Sequence, residues 1–260
     1  MNIQQYLQRI KYDGPLDTSL ASLSKLQHTH LLHVPFENLD IHNHTKIDLT
    51  NLFEKIVTRG RGGFCYELNG LFYQLLKEIG FTVKMVSAKV FDGKKDYSPG
   101  FDHMALIVTI KENAYLVDVG FGAFTFHPVP IALNTETNDP TGIFRMEIFN
   151  AEYIVIKKKH DDGNFIPEYI FSEKERGIEE FYERCNYHQT NNESHFMQKR
   201  ICSLPTKHGR ITLTGNTLKI TVNGSVSERQ LNNEAEMQQV LWDYFKIRLN
   251  IGLDRINARN

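Results

Sequence analysis

Three residues far apart in the chain have the types and settings that acyl transfer needs: Cys65, His103 and Asp118. Cys65 stands in RGGFCYELNG, with Gly62 and Gly63 just before it and an amphipathic run just after it. A thiol in the first turn of a helix meets unpaired N–H groups and the positive end of the helix dipole, and both favour the thiolate. The two glycines would let the backbone come close to a ligand. His103 follows the turn-forming YSPGFD and opens the strand-like HMALIVTI, so a sheet holds it while it faces a cleft. Asp118 lies in YLVDVGFG between Val117 and Val119. A carboxylate in an apolar strand needs a hydrogen-bonding partner, and an imidazole N–H is one. If the two strands are neighbours, Asp118 orients the His103 ring and the other ring nitrogen faces Cys65, the logic of nucleophile, base and orienter. The residues alone leave a plainer reading open, in which Cys65 is a small buried hydrophobe, Asp118 caps a turn and His103 bonds a carbonyl.

The other candidates do less chemistry. Cys185 and Cys202 lack such surroundings and read as packing residues. Glu37 in VPFENLD and Arg61 read as structural, a bidentate ion pair tying the glycine loop to the preceding segment. Gly120, Phe121 and Gly122 lack a third glycine at Thr125, so they fail the dinucleotide fingerprint, yet they leave room for an acyl or pantetheine group. His28, His30 and His33 do not share a helical face, which points to solvated or capping roles rather than to a metal site.

Positioning the three residues requires a helix and a sheet. Leu68, Phe72, Leu75 and Ile79 form one stripe with Cys65, and Gly80 stops the helix. Upstream, Leu20, Leu23, Leu26 and Leu31 mark another helix with Asp17 or Thr18 as its N-cap. From Phe81 the hydrophobic period falls to two: FTVKMVSAKVF, HMALIVTI, AYLVDVGF, FRMEIF and EYIVIKKK read as strands of a sheet that closes or nearly closes. Ser172 and Glu175 have capping-box spacing. RITLTGNTLKITVNG is a hairpin with Gly215 and Asn216 at its tip, and Met237, Leu241, Tyr244 and Phe245 line one face of a last helix.

Composition narrows the class. The chain has 260 residues, 41% hydrophobic and 23% charged, as in a folded globular protein. A net charge of -1 gives no reason to expect nucleic acid or an anionic membrane as partner. No apolar run reaches the roughly 20 residues of a membrane span, and the polar start MNIQQYLQRIKYDG has no signal-peptide core, so a cytoplasmic protein is expected. Three cysteines without a CxxC pair argue against a disulfide framework and a structural zinc site. The oligomeric state is left open.

The stretches VPFENLDI, RGGFCYELNGLF, HMALIV, YLVDVGFG and RITLTGNTLKI, in this order, resemble the arylamine N-acetyltransferases in their short bacterial form. The resemblance implies an α+β, three-lobed, cysteine-protease-like fold: a helical bundle over 1–80 carrying the nucleophile, a β-barrel over 81–190 carrying His and Asp, and an α/β lid over 191–260. It implies Cys65, His103 and Asp118 as catalytic triad, acetyl-CoA as donor without a metal, and arylamines, arylhydroxylamines or hydrazines as acceptors in a ping-pong cycle. It also implies Phe121 and Val90 as lining the substrate pocket and Gly100 as near the cofactor. Pro99 departs from the hydroxyl residue of some relatives, and the long insertion that some animal members carry after the barrel is absent. Two rivals use the same residues: a cysteine hydrolase or transglutaminase-like acyl transferase, and a binding protein without catalysis.

Overall fold

The computed structural model of the chain describes residues 1–249; the last stretch of the expected lid, 250–260, lies outside the described residues. In chain order the elements are α1 (Ile3–Arg9), α2 (Leu20–His33), β1 (Phe36–Glu37), α3 (Leu39–His42), a π-helical turn (Glu54–Thr58), α4 (Cys65–Ile79), β2 (Thr82–Val90), β3 (His103–Ile110), β4 (Asn113–Val117), β5 (Val129–Pro130), β6 (Glu136–Asp139), β7 (Gly142–Ile148), β8 (Ile154–Lys159) and β9 (Phe165–Phe171). A 3-10 turn (Ile178–Phe181), α5 (Tyr182–Thr190), α6 (His195–Gln198), β10 (Ile201–Thr206), β11 (Gly209–Thr214), β12 (Thr217–Val222), β13 (Ser225–Gln230) and α7 (Glu234–Phe245) complete it.

Eight strands form the central sheet in the order β5-β4-β3-β2-β9-β8-β7-β6, nearly closed by a bridge between Leu133 and Met146. The run HMALIV is apolar throughout because β3 is covered on both faces. Met104, Leu106 and Val108 pack with the helices, beside Leu68, Phe72 and Leu75 of α4. Ala105 and Ile107 point into the barrel with Phe144, Tyr169 and Phe171. His103 shares the parity of Ala105, so the strand aims it at the barrel side. The β2–β3 register, Ala88 opposite His103 and Thr82 opposite Thr109, fixes that parity.

The second sheet runs β1-β10-β11-β12-β13, so two residues of the N-terminal part form its edge. Cys202, Leu213, Leu218, Met237, Leu241 and Phe245 pack its inner face against α7. Phe181, Cys185 and Phe196, from the turn and short helices before this sheet, join the N-terminal helical core.

Several local expectations are corrected. Ser19, not Asp17 or Thr18, caps α2; its hydroxyl accepts from Ser22 N–H, while Asp17 Oδ1 accepts from Ser19 N–H and Ser22 Oγ. Leu20 is exposed, because a first-turn residue projects past the neighbouring helices. Ser172 caps no helix: its N–H donates to Ser87 O and prolongs the sheet beyond β9, and Glu180 instead accepts the Gly177 N–H where the 3-10 turn begins. Tyr244 is exposed, and Val240 takes the inner position on α7. Gly215 sits at the expected tip with φ +55°. A further hairpin follows at Asn223-Gly224, both with positive φ.

Candidate active site

Cys65 is the first residue of α4 and is 3% exposed. The helix starts there because Glu67 Oε2 accepts the Phe64 N–H at 3.1 Å, and it ends at Gly80, whose φ is +106°. Gly62 and Gly63 serve close backbone packing rather than a ligand: a Cβ on Gly62 would lie 1.9 Å from Pro35 O, and one on Gly63 would lie 2.7 Å from Glu67 Cβ. Gly63 N–H donates to Pro35 O, and Glu37 N–H to Gly63 O, which locks the loop before Cys65 onto β1.

Asp118 lies just past β4, not inside a strand, because its Oδ1 accepts the Gly120 N–H at 2.8 Å and turns the chain. That turn lays Gly120 on Cys65: its missing Cβ would be 2.7 Å from Cys65 Cα. Oδ1 also accepts from Asn69 Nδ2 at 2.9 Å. Oδ2 accepts from His103 Nε2 at 2.6 Å and from Tyr169 OH at 3.1 Å. Four donors therefore compensate a carboxylate that is 1% exposed. With Nε2 committed to Asp118, Nδ1 is the ring nitrogen left for a thiol proton.

Asn69 and Tyr169 complete this centre and were not singled out from the sequence. Asn69 Nδ2 donates also to Met104 O at 2.6 Å, and its Oδ1 accepts the Val119 N–H at 2.9 Å, so one amide joins α4, β3 and the Asp118 turn. The available signal was its i+4 spacing from Cys65, which puts a polar amide on a buried stripe. Tyr169 gave no signal, since its place follows from β9 pairing with β2.

Burial pushes the Cys65 thiol up, the nearby Met104 backbone pulls it down by less, and the carboxylates of Asp102 and Asp118 push it up further. This runs against what the helix terminus alone favours, so the sulfur needs a base in contact to lose its proton. Asp102, next to His103, is half-buried, which would raise its pKa; the hydrogen bond and charge of His188, then of Arg184, instead hold it at about 2. Arg184 Nε lies 2.5 Å and His188 Nε2 3.0 Å from its Oδ1, while Tyr66 OH donates to the carbonyls of Phe101 and Asp102. The loop entering β3 is thereby fixed from the helical side.

The remaining residues singled out from the sequence fall around this centre. The Phe121 ring packs against His103 with centroids 5.1 Å apart, and against Tyr169 and Phe124. Val90 ends β2 opposite Tyr169, which puts both side chains on one face of the sheet. Gly100 lies in the loop before His103, with only Lys89 Cε, at 3.9 Å, near its Cα face. His30 is buried, with Nδ1 against Tyr6 OH, and burial pushes it down to about 3; His28 stacks on Phe126. Among the described residues no group of three or more His, Cys, Asp or Glu could hold a metal ion.

Arg61 Nε lies 2.9 Å from Glu37 Oε1, and its Nη2 reaches the same oxygen and Asp40 Oδ1. Lys55 adds Glu67 at 2.7 Å and Asp40 at 2.8 Å, so three carboxylates share two cations beside the loop that leads into Cys65. Both cations are held charged, and one acid takes the excess pressure: burial pushes Glu67 up to about 7, against the pull of Lys55. A carboxyl whose native pKa lies above its unfolded value stabilises at low pH, and that contribution is lost as pH rises through about 7. Wild type should therefore lose stability relative to Glu67→Gln by up to about 1.4 kcal/mol per pH unit between about pH 5 and 7. Urea unfolding at fixed pH measures this, and parallel curves for the two proteins would remove Glu67 as the titrating group.

Known proteins share this arrangement of helices and sheets. The N-acetyltransferase family model matches residues 19–253. The liver arylamine N-acetyltransferase of Gallus gallus is 31% identical over 286 residues, covering 100% of both chains. Among solved structures, an arylamine N-acetyltransferase of Bacillus cereus with a Cys-His-Glu catalytic triad aligns with TM-score 0.87 and 28% identity, over 96% of this chain and 100% of that one. One of Mycobacterium marinum, in complex with CoA, aligns with TM-score 0.85 and 28% identity over 95% and 93%. The fold they share with this chain is the three-lobed, cysteine-protease-like α+β arrangement.

Proposed function

The chain belongs to the arylamine N-acetyltransferase family, and from that membership we propose that it moves an acetyl group from acetyl-CoA, through a thioester on Cys65, to arylamines, arylhydroxylamines and hydrazines. The observation that carries the reading is the convergence of Asp118 on His103 at 2.6 Å, with Gly120 laid directly on Cys65. His103 Nδ1 takes the thiol proton, and Asp118 holds the resulting imidazolium in place. Sulfur attacks the thioester carbonyl. The Cys65 N–H, first in its helix and so without an intrahelical acceptor, faces the developing oxyanion; losing one such donor costs roughly 3–4 kcal/mol. The C–S bond to CoA breaks, and its thiolate leaves with the proton of His103. The amine then attacks the acetyl-cysteine, passes a proton to His103, and the Cys65 sulfur departs. Phe121 and Tyr169 beside His103 favour a flat aromatic acceptor. An alkylamine, with a pKa of about 10.4 for lysine, is protonated at neutral pH and has no free lone pair. Among the described residues no helix is long and apolar enough to cross a membrane, and we place the reaction in the cytoplasm.

The test is a panel of arylamines and hydrazines with acetyl-CoA, following thiol release. Release should depend on the amine and give parallel double-reciprocal lines, the mark of a ping-pong cycle. Intersecting lines would argue against the acetyl-enzyme. Equal release without an amine would mean that water resolves the thioester, as in a hydrolase. Acetyl-CoA should also protect Cys65 from iodoacetamide, whereas labelling no faster than at Cys185 would indicate a binding protein.

A further inference from the structure

Arg210 of β11 is a half-buried cation, and among the described residues it has no acid beside it. Its Nη1 donates to Ser203 Oγ and its Nη2 to Gly122 O, each at 2.9 Å. Burial alone acts on its charge, lowering its pKa, and among the described residues no carboxylate pairs with it. A charge drawn partly out of water gains from a counter-ion, and a guanidinium with spare N–H groups is shaped for a carboxylate or phosphate.

Both anchors lead to Cys65. Ser203 is the strand partner of Phe36, which bridges Gly63, two residues before the nucleophile. Gly122 follows Gly120, which lies on Cys65, and Phe121, which lies on His103. The space there is open: at Gly122, with φ +96°, nothing lies within 4 Å of where a side chain would begin. Ser203, Thr212 and Arg210 form a polar line on this sheet, with Ser203 Oγ 2.9 Å from Thr212 Oγ1. The opposite face, at Cys202 and Leu213, is apolar.

We propose that Arg210 is a substrate-binding residue that recognises an anionic oxygen group, carried either by the amine as a ring carboxylate or by the acyl donor as a phosphate. The proposal rests on the acetyl-transfer reading above. Its guanidinium links β10 at Ser203 to the turn after Asp118 at Gly122 and offers its free N–H groups to the entering substrate.

The experiment compares wild type, Arg210→Gln and Arg210→Lys on matched anionic and neutral substrates. The amines are 4-aminobenzoate and 4-aminobenzamide; the donors are acetyl-CoA and p-nitrophenyl acetate. In Arg210→Gln the ratio of KM for the anionic member to KM for its neutral counterpart should rise about tenfold or more in one pair, the scale of one lost charged contact. Arg210→Lys, which keeps the charge and loses the fork, should fall between. A change confined to the amines identifies the carboxylate as the ligand, and one confined to the donors identifies the phosphate. Equal changes within both pairs, or none, would overturn the proposal and leave Arg210 as a brace for Gly122. Wild type gives a check independent of folding: benzoate or inorganic diphosphate should inhibit competitively where benzamide does not, and inhibition by neither anion also overturns it. Failure of wild type to acetylate any amine would instead sink the acetyl-transfer reading.

Discussion

Cys65→Ala should fold and take up no acetyl group at all. Wild type mixed with acetyl-CoA, without an amine, should gain one acetyl increment in intact mass, and the variant should gain none. The side chain is small and sits at the first position of α4, where Glu67 rather than the thiol holds the helix end. The thermal midpoint should therefore shift by only a few degrees, consistent with about 1 kcal/mol. The other two thiols offer no substitute. Burial pushes Cys185 up to about 12 and holds Cys202 well above its ordinary range, and among the described residues no imidazole acts on either. Acetyl loading that survives in the variant would place the nucleophile elsewhere.

Asp118→Asn should slow acetyl loading by about 10^3 to 10^4-fold, the scale set by losing the orienting carboxylate of a triad. Four donors point at Asp118: His103 Nε2, Tyr169 OH, Asn69 Nδ2 and the Gly120 N–H. An amide has one oxygen and one NH2, so one side of the turn must meet a donor with a donor. If the NH2 faces His103, the ring flips its tautomer and Nδ1 carries the proton that it should accept. If the NH2 faces Gly120 and Asn69, the turn that lays Gly120 on Cys65 loosens. Each mismatched buried donor costs about 1–3 kcal/mol, so a fall in unfolding free energy should accompany the kinetic loss. Single-turnover mass spectrometry with a melting curve separates the two effects. Turnover within about tenfold of wild type would remove Asp118 from the catalytic relay.

The parts of this site that the sequence made readable share one property: their signal is local. The stripe through Leu68, Phe72 and Leu75, the stop at Gly80 and the thiol in the first turn are all set within one helix. The apolar, turn-bounded runs gave β2, β3 and β8; each turns residues to the barrel interior, and β3 turns the rest to the helices. The misses are non-local or lack hydrophobic contrast. β1 is two residues long and exists only because β10 pairs with it. β13 has every side chain exposed, so no alternation marks it, although Asn223-Gly224 before it is a strong hairpin signal. The glycines at 62 and 63 could be read as flexible, but only the fold shows Pro35 O filling the space beside them. Arg61 with Glu37 was readable as a pair; that Lys55, Asp40 and Glu67 join them was not, because no spacing rule links a π-helical turn to a helix start.

The edge strand at Phe36 and Glu37 bears on how the enzyme is born. Asn38, just after it, binds Phe196 O and Lys199 O through Nδ2 and accepts the Ile201 N–H, while Phe36 pairs with Ser203. During translation at about 5–20 residues per second, these partners emerge roughly 10–30 seconds after the segment that needs them. Until then the loop before Cys65 lacks its outer support, so the nascent polypeptide carries this thiol through most of its synthesis without a finished machine around it. A ribosome that stalls late should release an inert product.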